Sequence, residues 1–100
     1  MEHLEEDKTQ YIPSSILIRS LRERLRQQMK KNPVSGHTMV QFPDTDWWIK
    51  ASWEDETVLI NFCGAQEVLP ASYVIGIGSQ LAEGRPVFSR LYRRAKEQMM

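Results

Sequence analysis

Apolar side chains recur at steps of three and four residues in the first third of the chain. This spacing predicts a helix that buries one stripe of its surface and leaves a basic remainder exposed. The recurring residues are Leu17 or Ile18, Leu21, Leu25 and Met29.

Local signals predict where this helix begins and ends. Ser14 or Ser15, directly after a proline, can accept a hydrogen bond from an unpaired backbone N–H and predicts the start. Pro33 disfavours a helical residue before it and predicts an end at residues 31–32. Residues 1–11 have no sustained apolar period, so we expect a flexible acidic arm there and one domain over residues 12–100.

The middle of the chain alternates between apolar and polar positions, which is typical of strands. Three strands are predicted, over residues 37–42, 47–53 and 57–63, and polar turns of about four residues join them into an antiparallel meander. One face of this sheet is uniformly apolar and is predicted to be the core face. It collects Val40, Phe42, Trp47, Ile49, Ala51, Trp53, Val58, Ile60 and Phe62. The other face is mixed, because Trp48, Met39 and Leu59 stand among polar neighbours such as Lys50.

The last third is predicted to be helical. Residues 70–83 are consistent with a helix that carries Val74, Ile77 and Leu81, and a fourth strand over residues 73–77 is the alternative. Gly84 is expected to break the chain, and Pro86 to occupy the first turn of a second helix. The predicted fold is therefore α+β: an N-terminal helix, a three-stranded antiparallel meander and one or two C-terminal helices, packed as a two-layer sandwich.

Composition supports one globular domain, since 41% of the 100 residues are hydrophobic and 26% are charged. The single cysteine excludes a disulfide scaffold. No apolar run approaches ~18 residues, as a membrane-spanning helix would require. The first residues are acidic where a signal peptide would be basic, and we expect a cytoplasmic protein with no membrane partner.

A net charge of zero conceals strong segregation along the chain. Residues 19–31 carry a net charge of +5 and residues 85–100 carry +4, whereas residues 32–84 carry −6. If both basic helices pack on one sheet face, their outer sides could bind a polyanion such as nucleic acid. The candidate residues are Arg19, Arg22, Arg26, Lys30, Arg90, Arg93 and Arg94. Ordinary solvated helix surfaces are the interpretation that we favour, because no nucleic-acid-binding motif accompanies them.

Catalytic signals are weak. His37 and Cys63 fall on the same predicted sheet face, but no third group that would orient a nucleophile–base pair is evident. Gly76 and Gly78 resemble the start of a dinucleotide-binding loop, but position 81 holds leucine where the third glycine is needed. Two histidines and one cysteine are too few for a structural metal site. We therefore expect no enzyme, no metal and no cofactor.

The mixed sheet face is the strongest functional candidate, because an exposed patch with tryptophan at its centre is typical of a protein interface. Its predicted partner-binding residues are Trp48, Met39, Leu59 and Lys50. The alternative is that residues 64–84 fold over this face as a second core layer.

The function predicted from this face is that of a small non-enzymatic binding or regulatory protein, which binds a protein partner or forms a homodimer. Such a protein would be of the inhibitor or adaptor type known from bacteria and phages. A nucleic-acid-binding module is the second hypothesis, and a small enzyme or toxin with a site not visible in the sequence is the third.

Overall fold

The chain folds as one long helix, four antiparallel strands and two further helices, which confirms the predicted α+β class. A computed structural model describes the backbone of residues 2–99 and the side chains of residues 16–99. The elements are α1 (Glu2–Lys31), β1 (Ser35–Gln41), β2 (Trp48–Glu54), β3 (Thr57–Phe62), β4 (Ala65–Pro70), α2 (Ser72–Ile75) and α3 (Ser79–Met99).

Helix α1 ends at Lys31 as expected but begins at Glu2, well before the predicted serine N-cap. The segment ahead of Pro13 contains three glutamates and one each of lysine, glutamine and leucine, which all have high helix propensity. Acidic residues also interact favourably with the positive end of the helix dipole. The flexibility expected of residues 1–11 stays a prediction, because their side chains lie outside the described residues.

The strands form one sheet in the order β1-β2-β3-β4, with every neighbouring pair antiparallel. The three predicted strands are present with shifts of one or two residues at their ends. The predicted count of three is wrong, because Ala65–Pro70 adds β4 beside β3. Residues 64–84 therefore extend the sheet sideways and then form helices, so they do not cover its mixed face.

Both long helices pack on the apolar face of the sheet, with α1 against β1 and β2 and α3 against β3 and β4. The core joins the predicted strand residues to Leu17, Leu21 and Leu25 of α1, all fully buried. Helix α3 contributes Phe88, Leu91 and Ala95. At one end of this core, Trp47 stacks on Tyr92 with ring centroids 5.4 Å apart and meets Phe62 edge-on at 5.8 Å. The prediction that alternate strand residues form the core face is confirmed.

Helix α3 runs without interruption through the two residues that were expected to separate two helices. Gly84 is buried where α3 packs against α2, and a Cβ there would collide with the carbonyl oxygen of Tyr73 in α2. The glycine therefore permits a close approach between helix and backbone. Pro86 lies inside α3 rather than at its start. Residues 70–83, for which a helix and a strand were both considered, contain the end of β4, the short α2 and the first turn of α3.

The two edges of the sheet differ in chemistry. The hydrogen bonds from Phe42 N to Trp47 O and from Asp55 N to Val34 O show that even-numbered residues along β1 bond to β2. The backbone N–H and C=O groups of the odd residues therefore point away from the sheet. Strand β1 contains no proline and no Asp, Glu, Lys or Arg. On β4, Pro70 lacks an N–H, and the carbonyl oxygen of Gln66 accepts a 3.4 Å bond from Arg94. Strand β4 is therefore the protected edge.

Candidate binding surfaces on the sheet and between the helices

The sheet face opposite the helices retains large apolar side chains at its surface. Met39 is 45% exposed, Leu59 37% and Val68 67%, while Trp48 is half-buried. We call this surface the open sheet face. The odd positions of β1 and β3 and the even positions of β2 and β4 form it. All four predicted partner-binding residues lie on the open sheet face, and Val68 joins them from the strand that was not predicted.

Strand register arranges these side chains in rows across the sheet. Ser52 lies opposite Leu59, which in turn lies opposite Val68, so two apolar side chains are direct cross-strand neighbours. In the next row Met39 lies opposite Lys50. The Lys50 ammonium lies 5.1 Å from the centroid of the Trp48 ring, within the range of a cation–π contact. The basic side chain therefore separates the apolar pair from Trp48 and covers part of the indole.

The open sheet face also carries charges of both signs on a single strand. Lys50 and Glu54 are exposed on β2, two positions to either side of Ser52. Neither belongs to an ion pair within the described part of the chain. The face thus presents an apolar row level with Ser52 and opposite charges above and below that row.

The predicted polyanion-binding residues do not form one surface. Arg90 and Arg94 face the β4 edge, where Glu67 accepts bonds of 2.8 and 2.7 Å from the Arg90 guanidinium and lies 3.8 Å from that of Arg94. The hydrogen bonds from Arg90 lower the pKa of Glu67, and partial burial opposes them. Arg93 is exposed on the same helix. The positive charges of Arg90 and Arg94 are therefore partly offset within the protein by Glu67.

The arginines of α1 have different surroundings. The Arg22 guanidinium lies 5.8 Å from the centroid of the Phe88 ring on α3. Arg26 donates hydrogen bonds of 3.3 Å to the carbonyl oxygens of Ile75 and Gly76 at the end of α2. Arg19 and Lys30 extend the stripe in both directions along α1 and are exposed. Arg85, which was not among the predicted polyanion-binding residues, adds its charge to this group, because it is one of the cations that lower the pKa of Arg22.

His37 and Cys63 are too far apart to act together. His37 pairs with Ser52 of β2, whereas Cys63 donates its N–H to the carbonyl oxygen of Trp48. The two contact points on β2 are four residues apart, or about 13 Å along the strand. The Cys63 thiol lies 3.2 Å from both backbone polar atoms of Trp48, and burial raises its pKa. A raised pKa reduces the thiolate fraction and with it the nucleophilicity.

Two further features are absent from the part of the chain that the structure describes. No three His, Cys, Asp or Glu side chains come together as metal ligands among those residues. Among the same residues, no helix is both long enough and apolar enough to span a bilayer.

Comparison with known proteins gives no relative for this chain. No protein-family model matches it, and neither the curated proteins nor the solved structures include a significant match.

Proposed function

We propose that this protein is a small binding protein that acts through protein–protein contacts at the open sheet face. The observation that carries the proposal is the exposure of Met39, Leu59 and Val68 on one side of a sheet whose helices all pack on the other. Exposed apolar clusters with polar rims are typical of interaction surfaces. No catalytic step is part of the proposal.

A second copy of the chain is the partner that the face fits best, because its charges are self-complementary. When two open sheet faces meet with their β2 strands antiparallel, a twofold axis level with Ser52 brings Lys50 of one copy opposite Glu54 of the other. The same axis places Leu59 and Val68 against their own counterparts, since both share the row of Ser52. Two reciprocal ion pairs would then flank an apolar centre.

Val68→Glu tests the surface. A carboxylate in the centre of the interface must lose its hydration, so we expect the dimer dissociation constant to rise at least about tenfold, or about 1.4 kcal/mol. Sedimentation equilibrium across the micromolar range measures it. Val34→Glu is the matched control, because Val34 is 68% exposed against 67% for Val68 but lies outside the strands. The control should leave association unchanged.

A charge swap tests the identity of the partner. Lys50→Glu should weaken self-association by placing like charges together, and Lys50→Glu combined with Glu54→Lys should restore it. A wild-type chain that remains monomeric across the whole concentration range contradicts the homodimer. Equal effects of Val68→Glu and Val34→Glu contradict the open sheet face as the binding surface.

A further inference from the structure

Three arginine side chains from two helices gather beside the loop that joins α2 to α3. Arg22 and Arg26 lie on successive turns of α1, and Arg22 packs over Phe88 of α3. Arg85 precedes Phe88 by three residues, so it lies on the same side of α3, one turn closer to the loop. Arg26 reaches that loop through the carbonyl oxygens of Ile75 and Gly76.

The hydrogen-bonding capacity of this cluster is incompletely used. The Nε atom of Arg22 is buried and has no hydrogen-bond partner among the described residues. A buried donor without a partner is destabilising and uncommon in folded proteins. Both bonds from Arg26 are 3.3 Å long, beyond the usual range for N–H donors.

The positive charge of the cluster is also uncompensated. Within the described residues, no carboxylate lies within 4 Å of Arg22, Arg26 or Arg85, whereas Arg90 and Arg94 share Glu67. Burial, followed by the charges of Arg26 and Arg85, lowers the pKa of Arg22. The fold therefore holds like charges together at a partly desolvated position, which an anion would relieve.

We propose that Arg22, Arg26 and Arg85 form a binding site for a phosphate group. Forked guanidinium donors match the oxygens of phosphate. A terminal phosphate dianion would offset two of the three positive charges, and adjacent phosphodiesters of a nucleic-acid backbone would offset one each. The site lies on the helical side of the sheet and is independent of the open sheet face, so either proposal can fail without the other. The phosphate belongs either to a small molecule or to a nucleic-acid backbone.

Inorganic phosphate is the first probe. The Nε–Hε signal of Arg22 is followed by ¹⁵N NMR while phosphate replaces chloride at constant ionic strength. We expect a saturable shift, and an affinity at least about tenfold weaker in Arg26→Gln and in Arg85→Gln. Arg24→Gln is the matched control, since Arg24 is an exposed arginine of α1 that lies two residues from Arg22 and therefore on another side of the helix, and it should bind like wild type.

A short DNA duplex, titrated in the same way, distinguishes the two sources. A duplex that shifts the Arg22 signal and loses affinity in Arg85→Gln assigns the site to a nucleic-acid backbone. A response to inorganic phosphate with none to the duplex assigns it to a small phosphorylated molecule. The proposal is overturned if neither probe gives a saturable shift, or if Arg26→Gln and Arg85→Gln bind as tightly as wild type.

Discussion

Gly36 and Trp53 lie directly opposite each other on β1 and β2. The Trp53 ring occupies the space that a Cβ on Gly36 would need, and its Nε1 donates a 2.8 Å hydrogen bond to the carbonyl oxygen of Asn32. Trp53 as a whole is only 3% exposed. The Trp53 side chain thus fills part of the core and donates a hydrogen bond to a backbone carbonyl just after α1. It also requires a glycine on the neighbouring strand.

Gly36→Ala should therefore destabilise the protein by about 1–3 kcal/mol, because the methyl group must displace a buried ring that is also held by a hydrogen bond. Urea unfolding followed by circular dichroism measures the change. Ser35→Ala is the control, since Ser35 is the exposed neighbour on the same strand. Equal stability of the two variants would show that the ring can move aside without cost.

The sequence predicts which residues are buried more reliably than how they fit together. Alternation along β2 is sufficient to assign Ile49, Ala51 and Trp53 to the core, because parity depends on one strand alone. The contact between Gly36 and Trp53 depends on the register between two strands. Register follows from the whole sheet and its turns, so the role of this glycine was not evident from the sequence.

At the level of elements, β4 was missed because its local pattern is weak. Ala65–Pro70 includes glutamine, glutamate and a proline, and its two largest apolar residues are adjacent rather than alternate. Alanine, glutamate and proline are all depleted in strands. Strand β4 forms because β3 offers an unpaired edge and α3 covers one of its faces. Its omission hid Val68, the most exposed apolar residue of the open sheet face.

The contact between Glu67 and Arg90 fastens α3 to β4 and gives this junction a pH dependence. Hydrogen bonds from Arg90 lower the pKa of Glu67 below its ordinary value of 4.5 in the folded state. The stabilisation is therefore fully present above that value and is lost as the pH falls through the folded-state pKa.

Glu67→Gln should accordingly reduce the free energy of unfolding by a small amount at neutral pH, because both partners are partly exposed. The difference from wild type should shrink as the solution is acidified. Chemical denaturation at a series of pH values measures it, with Glu83→Gln as the control for an exposed carboxylate of α3 outside this ion pair. A difference that grows toward acid pH would contradict the assigned direction.

Across the whole molecule, the zero net charge hides a local excess of positive charge between α1 and α3. Arg85→Gln should remove repulsion from Arg22 and raise the free energy of unfolding at low ionic strength by less than about 1 kcal/mol, the usual size of an interaction between exposed charges. The gain should become smaller in physiological salt, where the screening length falls to about 8 Å. Urea unfolding at two salt concentrations without phosphate measures it. Arg93→Gln should show no such gain, and a loss of stability in Arg85→Gln would contradict repulsion within the cluster.

The different chemistry of the two sheet edges limits how copies of this chain can add to one another edge to edge. Pairing of β1 with β4 of the next molecule would leave a new edge each time and propagate into a filament. Pro70 and the Arg94 contact at Gln66 obstruct that route on every copy. Pairing of β1 with β1 uses both unprotected edges at once, so edge-to-edge addition ends at two molecules. The difference between the two edges thus disfavours open-ended, edge-to-edge growth into fibres.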